Sequence, residues 1–491
     1  MRIYIAMACI STSALLYCAA LFIPSYCWWG MFIFLLPLYY LYLSLNYQVY
    51  ARHGFWWGTL VFGSLTYCMG RTSTYYAQLT LHNYHTVIVT IILMITITLY
   101  CACYSALWFW IIGTYIKYKK FTKNSPGIVL LLTLITTIGY ITCIDRWCFW
   151  PFLRLEGYPL LHPLIALSEY PALLSLLPYV GKHALTVVLL APGTALFYRW
   201  HRRSLRSLLI VACTVMPWII SYVIRPTEQN TPQWLSTIAW LPMQGTGTSA
   251  LALIVQQTFK AIVSRHSTIQ TIILPESAFC TNRLCSDISC TRLWDSLHLG
   301  KPLTVVCGSF STVLPDQSAC ASPGYITTLS QHSSYCYNTC FVIYDGIITH
   351  RFHKKHTMAF FEQLPSWITG TIYDGLRAIL FSNTPPIMAS ANTRVPLPIN
   401  ETTLCIPYIC SELFFSQYTN DYFSNNRDNY PIMALISDNW TQSKIIHDSM
   451  FRLAQFKAIE WRRDILYISY TRAAYINKNG IYQSLPAYST L

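Results

Sequence analysis

Acidic side chains are nearly missing from the first part of this 491-residue chain. Residues 1–224 hold only Asp145, Glu156 and Glu169, against fourteen Lys and Arg. Over the whole chain, charged residues reach 11% and mean hydropathy is +0.38, where an ordinary soluble domain carries about 25% charge. That shortage excludes a wholly soluble protein. Metal signatures are lacking as well. There is no HExxH, His353 and His356 have no carboxylate at ligand spacing, and Cys280, Cys285 and Cys290 form no zinc-type pairs. No basic face interleaved with aromatics occurs, so the formal charge of +14 does not point to nucleic acid. No metal and no cofactor is expected.

What the chain has instead is apolar sequence in runs of bilayer length, about 20 residues. Such runs lie at 3–23, 27–46, 54–70, 86–113, 127–143, 184–198 and 207–224. They predict a polytopic α-helical membrane domain of about seven helices over 1–224. No small-x-small cleavage site follows the first run, which is expected to stay as a helix rather than leave as a signal peptide. Basic residues cluster in two of the intervening loops: Lys117, Lys119, Lys120 and Lys123, then Arg199, Arg202, Arg203 and Arg206. The positive-inside rule puts both clusters in the cytoplasm. Residue 225 then emerges on the outer side, the periplasm of a bacterium, and the chain is read as an inner-membrane protein. The outer loop 144–183 carries Trp147, Trp150, Arg154 and Glu156, either as an aromatic belt or as a surface-lying arm.

The remainder reads differently. Residues 225–491 hold sixteen acids against nineteen bases, close to the balance of a soluble domain. After a linker and helix at 225–267, short β-type runs occur at 268–274, 302–307, 340–345, 347–352, 404–409, 432–437 and 465–470. A helix is predicted around 443–462. Strands mixed with helices indicate a layered α/β domain over 268–491. Three reactive side chains follow strand ends: Glu276 the first, Lys354 the fourth and Cys410 the fifth. Strand ends are where open α/β sheets gather their chemistry.

These residues carry a resemblance. Leu274-Pro275-Glu276-Ser277-Ala278, Tyr337-Asn338-Thr339, Tyr344-Asp345-Gly346, Phe352-His353-Lys354-Lys355-His356 and Ile409-Cys410-Ser411-Glu412 resemble segments of the carbon–nitrogen hydrolase (nitrilase) superfamily. Within it the match is to the apolipoprotein N-acyltransferase family, including Glu156-Gly157-Tyr158-Pro159 in the membrane part. The step of eight residues from Lys354 to Glu362 matches the family's lysine and second glutamate, and selects Lys354 over Lys355. Ser411 stands where the family has Tyr, and Ser437-Asp438-Asn439-Trp440 matches only in part. Set against that pattern, the chain stops at Leu491 soon after Asn479-Gly480. The domain's last strands and a closing transmembrane helix are therefore expected to be absent. Conjugal-transfer membrane proteins with a nitrilase-like domain are similar at Pro275-Glu276-Ser277-Ala278 and Leu293-Trp294, and form the alternative.

The resemblance implies an αββα sandwich and a Glu276, Lys354, Cys410 catalytic set, with Glu362 and Glu412 in support. Glu276 would take the Cys410 proton, burial raising its pKa toward the working pH. Lys354 would face the oxyanion. Glu362 and Glu412 would hold Lys354 charged and orient the incoming nucleophile. The implied partners are a phospholipid acyl donor and a diacylglyceryl lipoprotein acceptor, joined through a thioester on Cys410. With Cys410 set aside, eight cysteines from 280 onward permit disulfides in an oxidising compartment. The topology is open to a direct check. A reporter active only in the cytoplasm should work when fused after Lys123 and fail after Pro226, and activity after Pro226 would reverse the orientation.

Overall fold

The structure is a computed structural model that describes residues 2–44, 49–81, 84–118, 127–147, 162–202, 204–223, 231–241, 259–276, 303–313, 335–345, 347–357, 368–375, 395–414, 429–438 and 443–487, apart from 263, 267, 369 and 372. It divides into two units. One comprises Met1–Thr227 with Trp440–Arg462, the other Glu228–Asn439 with Arg463–Leu491.

The first unit is helical throughout its described length. Helices Arg2–Phe22, Tyr50–Leu81, Tyr84–Tyr118, Gly127–Tyr140, Leu177–Arg202 and Leu205–Val223 follow the predicted apolar runs, and short helical turns between Pro24 and Ser44 cover the second. Length and apolarity qualify four as crossings among the described residues: Ile3–Phe22, Met94–Ile116, Leu177–Trp200 and Leu205–Val223. Gly30–Tyr42 and Val129–Ile144 are apolar but short. Of the seven expected crossings, these four stand on length and apolarity among the described residues. The predicted 54–70 run is only part of the Tyr50–Leu81 helix, and the second run is broken into turns.

Lipid tails are as apolar as Leu, so packing within such a bundle depends on close backbone approach and buried hydrogen bonds. Both are present. Gly54 and Gly58, one helical turn apart, let Tyr50–Leu81 approach Tyr84–Tyr118 closely. A Cβ at Gly58 would lie 2.6 Å from Ser105 Oγ and 2.8 Å from Ala102 Cα. Beside this seam Trp57 is fully buried, edge-on to Tyr17 and Trp108, and donates Nε1 to Ser13 Oγ at 3.1 Å. Trp108 donates to the Thr136 carbonyl at 2.9 Å.

The helix Lys444–Trp461, which lies between two strands in sequence, belongs to this helical unit. Met450 through Ile459 are buried without a break, polar residues included. Among them, Arg452 places Nη1 2.7 Å from the Leu21 carbonyl, at the C-terminal end of the first helix. A cation suits that end of the helix dipole. Arg452 Nε lies 3.9 Å from Glu169, whose other oxygen accepts from Ser25 Oγ at 2.6 Å. One of the three acids in the first 224 residues is therefore spent on holding a buried guanidinium.

The second unit contains two mixed sheets. In the first, β1 (Ile238–Trp240), β2 (Thr271–Ile273) and β3 (Thr304–Val313) run parallel, followed by antiparallel β4 (Tyr335–Tyr344) and β5 (Ile347–His353). In the second, β7 (Leu404–Ile409), β8 (Ile432–Leu435) and β9 (Ile465–Ile468) run parallel. That sheet is edged by β6 (Leu397–Pro398) and by the antiparallel pair β10 (Ala473–Ile476) and β11 (Tyr482–Ser484).

The period-2 alternation of strands sorts the side chains between faces. Ile273, Val306, Cys340 and Val342 join Cys405, Ile409, Met433, Leu435, Leu466 and Ile468 in one core, which joins the two sheets. Their neighbours Ile272, Val305, Phe341 and Ile343 point the other way, onto Phe259 and Ile262. One reading of the sequence is corrected here. Strand β1 falls inside the stretch taken as linker, and its parallel pairing with β2 needs only three residues. Strands β10 and β11 follow β9, joined by a turn at Asn477–Gly480 with Gly480 at φ 79°.

The glycine seam yields a test. Gly58→Val forces a branched side chain against Ser105 and Ala102, and should destabilise the helical unit by about 1–3 kcal/mol. Thermal unfolding in detergent would register it, with Gly63→Val, whose nearest neighbour is 3.7 Å away, as the milder control.

Candidate active site

Strand direction brings three of the predicted residues to one end of the second unit. Since β4 is antiparallel to both β3 and β5, strands β2, β3 and β5 all point the same way. Glu276 lies just beyond β2 and Lys354 immediately after β5. Asn338 of β4 touches both segments. Its carbonyl accepts from the Lys354 backbone N–H at 2.7 Å, and its side-chain Nδ2 donates to Glu276 Oε1 at 2.5 Å. The Ser437 backbone N–H, just past β8, donates to Glu276 Oε2 at 2.8 Å. Glu276 is only 3% exposed, so each oxygen of this buried carboxylate has a donor.

Cys410 follows β7 directly and opens the 3₁₀ turn Cys410–Phe414. Its φ is 49°. Among the described residues, two other non-glycine residues share this left-handed region, and each has a local structural reason. Asp345 sits in the turn between β4 and β5, and Arg462 ends a helix. At Cys410 the conformation marks the passage from β7 into the 3₁₀ turn.

Glu412 holds this elbow in place. Its Oε2 accepts from the Ile409 N–H at 2.8 Å. Its Oε1 accepts from the N–H groups of Lys355 at 2.8 Å and His356 at 3.2 Å. One carboxylate thereby joins the segment after β5 to the segment after β7. These bonds to backbone amides add a structural task to the one expected of Glu412. Glu362 lies outside the described residues.

Lys354 is 1% exposed. The neighbouring histidine His353 is held by Thr339 Oγ1 at 2.8 Å and lies against the Tyr337 ring at 4.7 Å. Among the described residues, no three His, Cys, Asp or Glu side chains gather at metal-binding range.

The thiols of this unit fall into two classes. Cys340 and Cys405 are fully buried in the sheet core, and burial pushes both well above the ordinary thiol range. Cys410 is partly exposed at the strand end. Cys340 and Cys405 carry free thiols. Asn338 and the Ser437 amide were named in the sequence only as parts of resembling segments. Their contact with Glu276 crosses 62 and 161 residues, a distance no local pattern reports.

No sequence-family profile matches the chain, and no curated protein matches it. Solved structures similar to it include the glutamine-dependent NAD+ synthetase of Acinetobacter baumannii, at 13% identity over 52% of this chain and 44% of the synthetase, with a TM-score of 0.36. The chain thus spans less than half of that protein. A carbon–nitrogen hydrolase of Helicobacter pylori is similar at 8% identity, over 52% of this chain and 86% of the hydrolase, with a TM-score of 0.34. Nit3 of Saccharomyces cerevisiae, a member of branch 10 of the nitrilase superfamily, is similar at 11% identity over 50% and 89%, with a TM-score of 0.35.

The two thiol classes give a prediction that needs no substrate. Iodoacetamide at neutral pH, followed by peptide mapping, should modify Cys410 at least tenfold faster than Cys340 or Cys405. Preferential modification of Cys405 would move the reactive thiol into the sheet.

Proposed function

We propose that this protein is a membrane-bound acyltransferase of nitrilase type, moving an acyl chain through a thioester on Cys410. The reading is carried by one observation: Asn338 and Glu412 draw the segments bearing Glu276, Lys354 and Cys410 into one hydrogen-bonded cluster.

Each side chain suits a step. Glu276, an acceptor for two N–H donors, is the general base that takes the Cys410 proton, because the thiolate and not the thiol attacks carbonyls. The sulfur adds to the ester carbonyl of the donor, and Lys354 offers its charge to the resulting oxyanion. The carbon–oxygen bond breaks, and the proton held by Glu276 passes to the departing alkoxide. This leaves the acyl thioester. An amine then adds to the thioester, the carbon–sulfur bond breaks, and the amine proton passes through Glu276 to the thiolate. The products are an amide and a restored thiol. No metal or nucleotide enters.

The donor in this reading is a phospholipid and the acceptor the N-terminal amine of a diacylglyceryl lipoprotein. Support for a lipid donor comes from four helices of bilayer length in the same chain. The second reading is a nitrilase-like membrane component of a conjugal-transfer system with altered or no acyl transfer. The two part at the chemistry, since only the first requires an acyl-enzyme. Complementation of a bacterium depleted of its own lipoprotein N-acyltransferase would test the physiological acceptor.

The lysine assignment makes the mechanism testable residue by residue. The Lys354 backbone N–H is held by Asn338 and its side chain is 1% exposed, whereas Lys355 is partly exposed, which supports the choice of Lys354. Lys354→Met should slow single-turnover acyl-enzyme formation on the order of 10²-fold or more, and Lys355→Met should cost little. Equal losses, or a larger loss at Lys355, would shift the site by one residue.

A further inference from the structure

The Ser437 amide that serves Glu276 needs a support of its own, because it stands past the pairing of β8 with β9. That pairing closes with the Ile436 N–H donating to the Ile468 carbonyl at 2.8 Å. Beyond it the two chains are joined by a side chain instead. Asp438 is fully buried, and its carboxylate spans the gap. Oδ1 accepts from the Tyr470 N–H at 2.9 Å, and Oδ2 accepts from Thr471 Oγ1 at 2.5 Å. The Ser437 amide is thereby held between two ties to the β9 chain, one at Ile436 and one at Asp438.

The turn that Asp438 grips is itself fixed. Ser469 Oγ accepts from the Arg472 N–H at 3.1 Å and from the Thr471 N–H at 3.3 Å. The Ser469 N–H donates to the Arg472 carbonyl at 2.9 Å. From β1, Trp240 Nε1 donates to the Ser469 carbonyl at 3.1 Å. A run of bonds therefore leads from β1 through the turn 469–472 and Asp438 to the amide that meets Glu276 Oε2 at 2.8 Å. An ionised carboxylate is acceptor-only at both oxygens, which lets one side chain hold Tyr470 and Thr471 together. We propose that Asp438 is a positioning residue, which locks the Ser437 amide onto Glu276 and so keeps that carboxylate ionised and aimed. This role rests on the thioester reading, in which Glu276 must be a carboxylate to take the Cys410 proton.

Placement and charge make opposite predictions. A backbone N–H favours the ionised form of a carboxylate, so its loss moves protonation to higher pH. The negative charge of Asp438 disfavours ionisation nearby, so its loss alone would move protonation of Glu276 to lower pH. The other charged and titratable groups at this end are Lys354, Cys410, Glu412, Arg472 and Tyr467. Tyr467 is buried in β9, and burial, then Asp438, hold its phenol above the ordinary range. The test leaves all five in place.

Single-turnover acyl-enzyme formation is followed against pH on the full chain in detergent. The donor is subsaturating phosphatidylglycerol with a labelled acyl chain. Asp438→Ala should slow the step about tenfold or more and move its acid limb up by roughly half a pH unit. Thr471→Val keeps the charge and removes one donor, so the limb should rise by less, and Thr471→Ser should restore the original profile. An acid limb that fails to rise in either Asp438→Ala or Thr471→Val would overturn the proposal. So would a Thr471→Ser profile equal to that of Thr471→Val. Thermal melting identifies a variant that does not fold, and should Asp438→Ala fail, the exposed Thr471 decides alone. If the unaltered protein forms no acyl-enzyme, the thioester reading fails and hydrogen exchange decides the clamp. Peptides over 432–438 should then exchange about tenfold faster in Asp438→Ala, and equal protection would overturn it.

Discussion

A carboxylate with 3% of its surface exposed must find donors, and much of the second unit's arrangement follows from that demand at Glu276. Its two donors come from different sheets. Asn338 belongs to β4 in the first, and the Ser437 amide follows β8 in the second. The same residue, Asn338, also fixes the backbone of Lys354. Moving either sheet by a fraction of a hydrogen-bond length would break one of these bonds. The polar end of the sandwich is therefore specified more tightly than its apolar core, where area burial is non-directional.

The helical unit meets burial by other means. Its interior is aromatic, with Tyr17, Phe34, Trp57, Trp108 and Phe109 in mutual ring contact. The buried Trp57 and Trp108 N–H groups each have an acceptor. Arg452 is the extreme case, a guanidinium at 2% exposure satisfied by a helix-end carbonyl, its own helix and Glu169. Such groups are retained because losing one partner leaves a charge buried and unmatched.

How much of this the sequence disclosed depends on the range of the interaction. The β7 run at 404–409 was bounded to the residue, because Pro, Ile and Tyr in a short apolar run end abruptly at Cys410-Ser411-Glu412. Strands β3 and β4 proved longer than their apolar centres, since pairing carries on through Gly308, Ser309 and Thr312, which carry no hydrophobic signal. Strands β1, β6, β10 and β11 have two to four residues each, too few for a period to register. At the site, the candidate residues Glu276, Lys354 and Cys410 were picked out by their places after strands, whereas the contacts of Asn338 and the backbone amides bound by Glu412 were not. Spacing identifies what can react; only the pairing of distant strands decides what holds it.

The elbow at Cys410 shows why that holding matters. A non-glycine residue in the left-handed region costs roughly 1–2 kcal/mol, and strain of this kind persists only where neighbours over-determine it. Here the neighbours are visible. Glu412 clamps the N–H just before the strained residue, at Ile409, and ties the turn to the amides of Lys355 and His356. The strained turn also separates two thiols five residues apart in one sequence. Cys405, inside β7, is sealed in the core, and burial keeps it protonated. Cys410, one residue past the strand, packs against the edge of that core and stays partly exposed. Where the strand stops decides which of the two thiols is sealed and which is partly exposed.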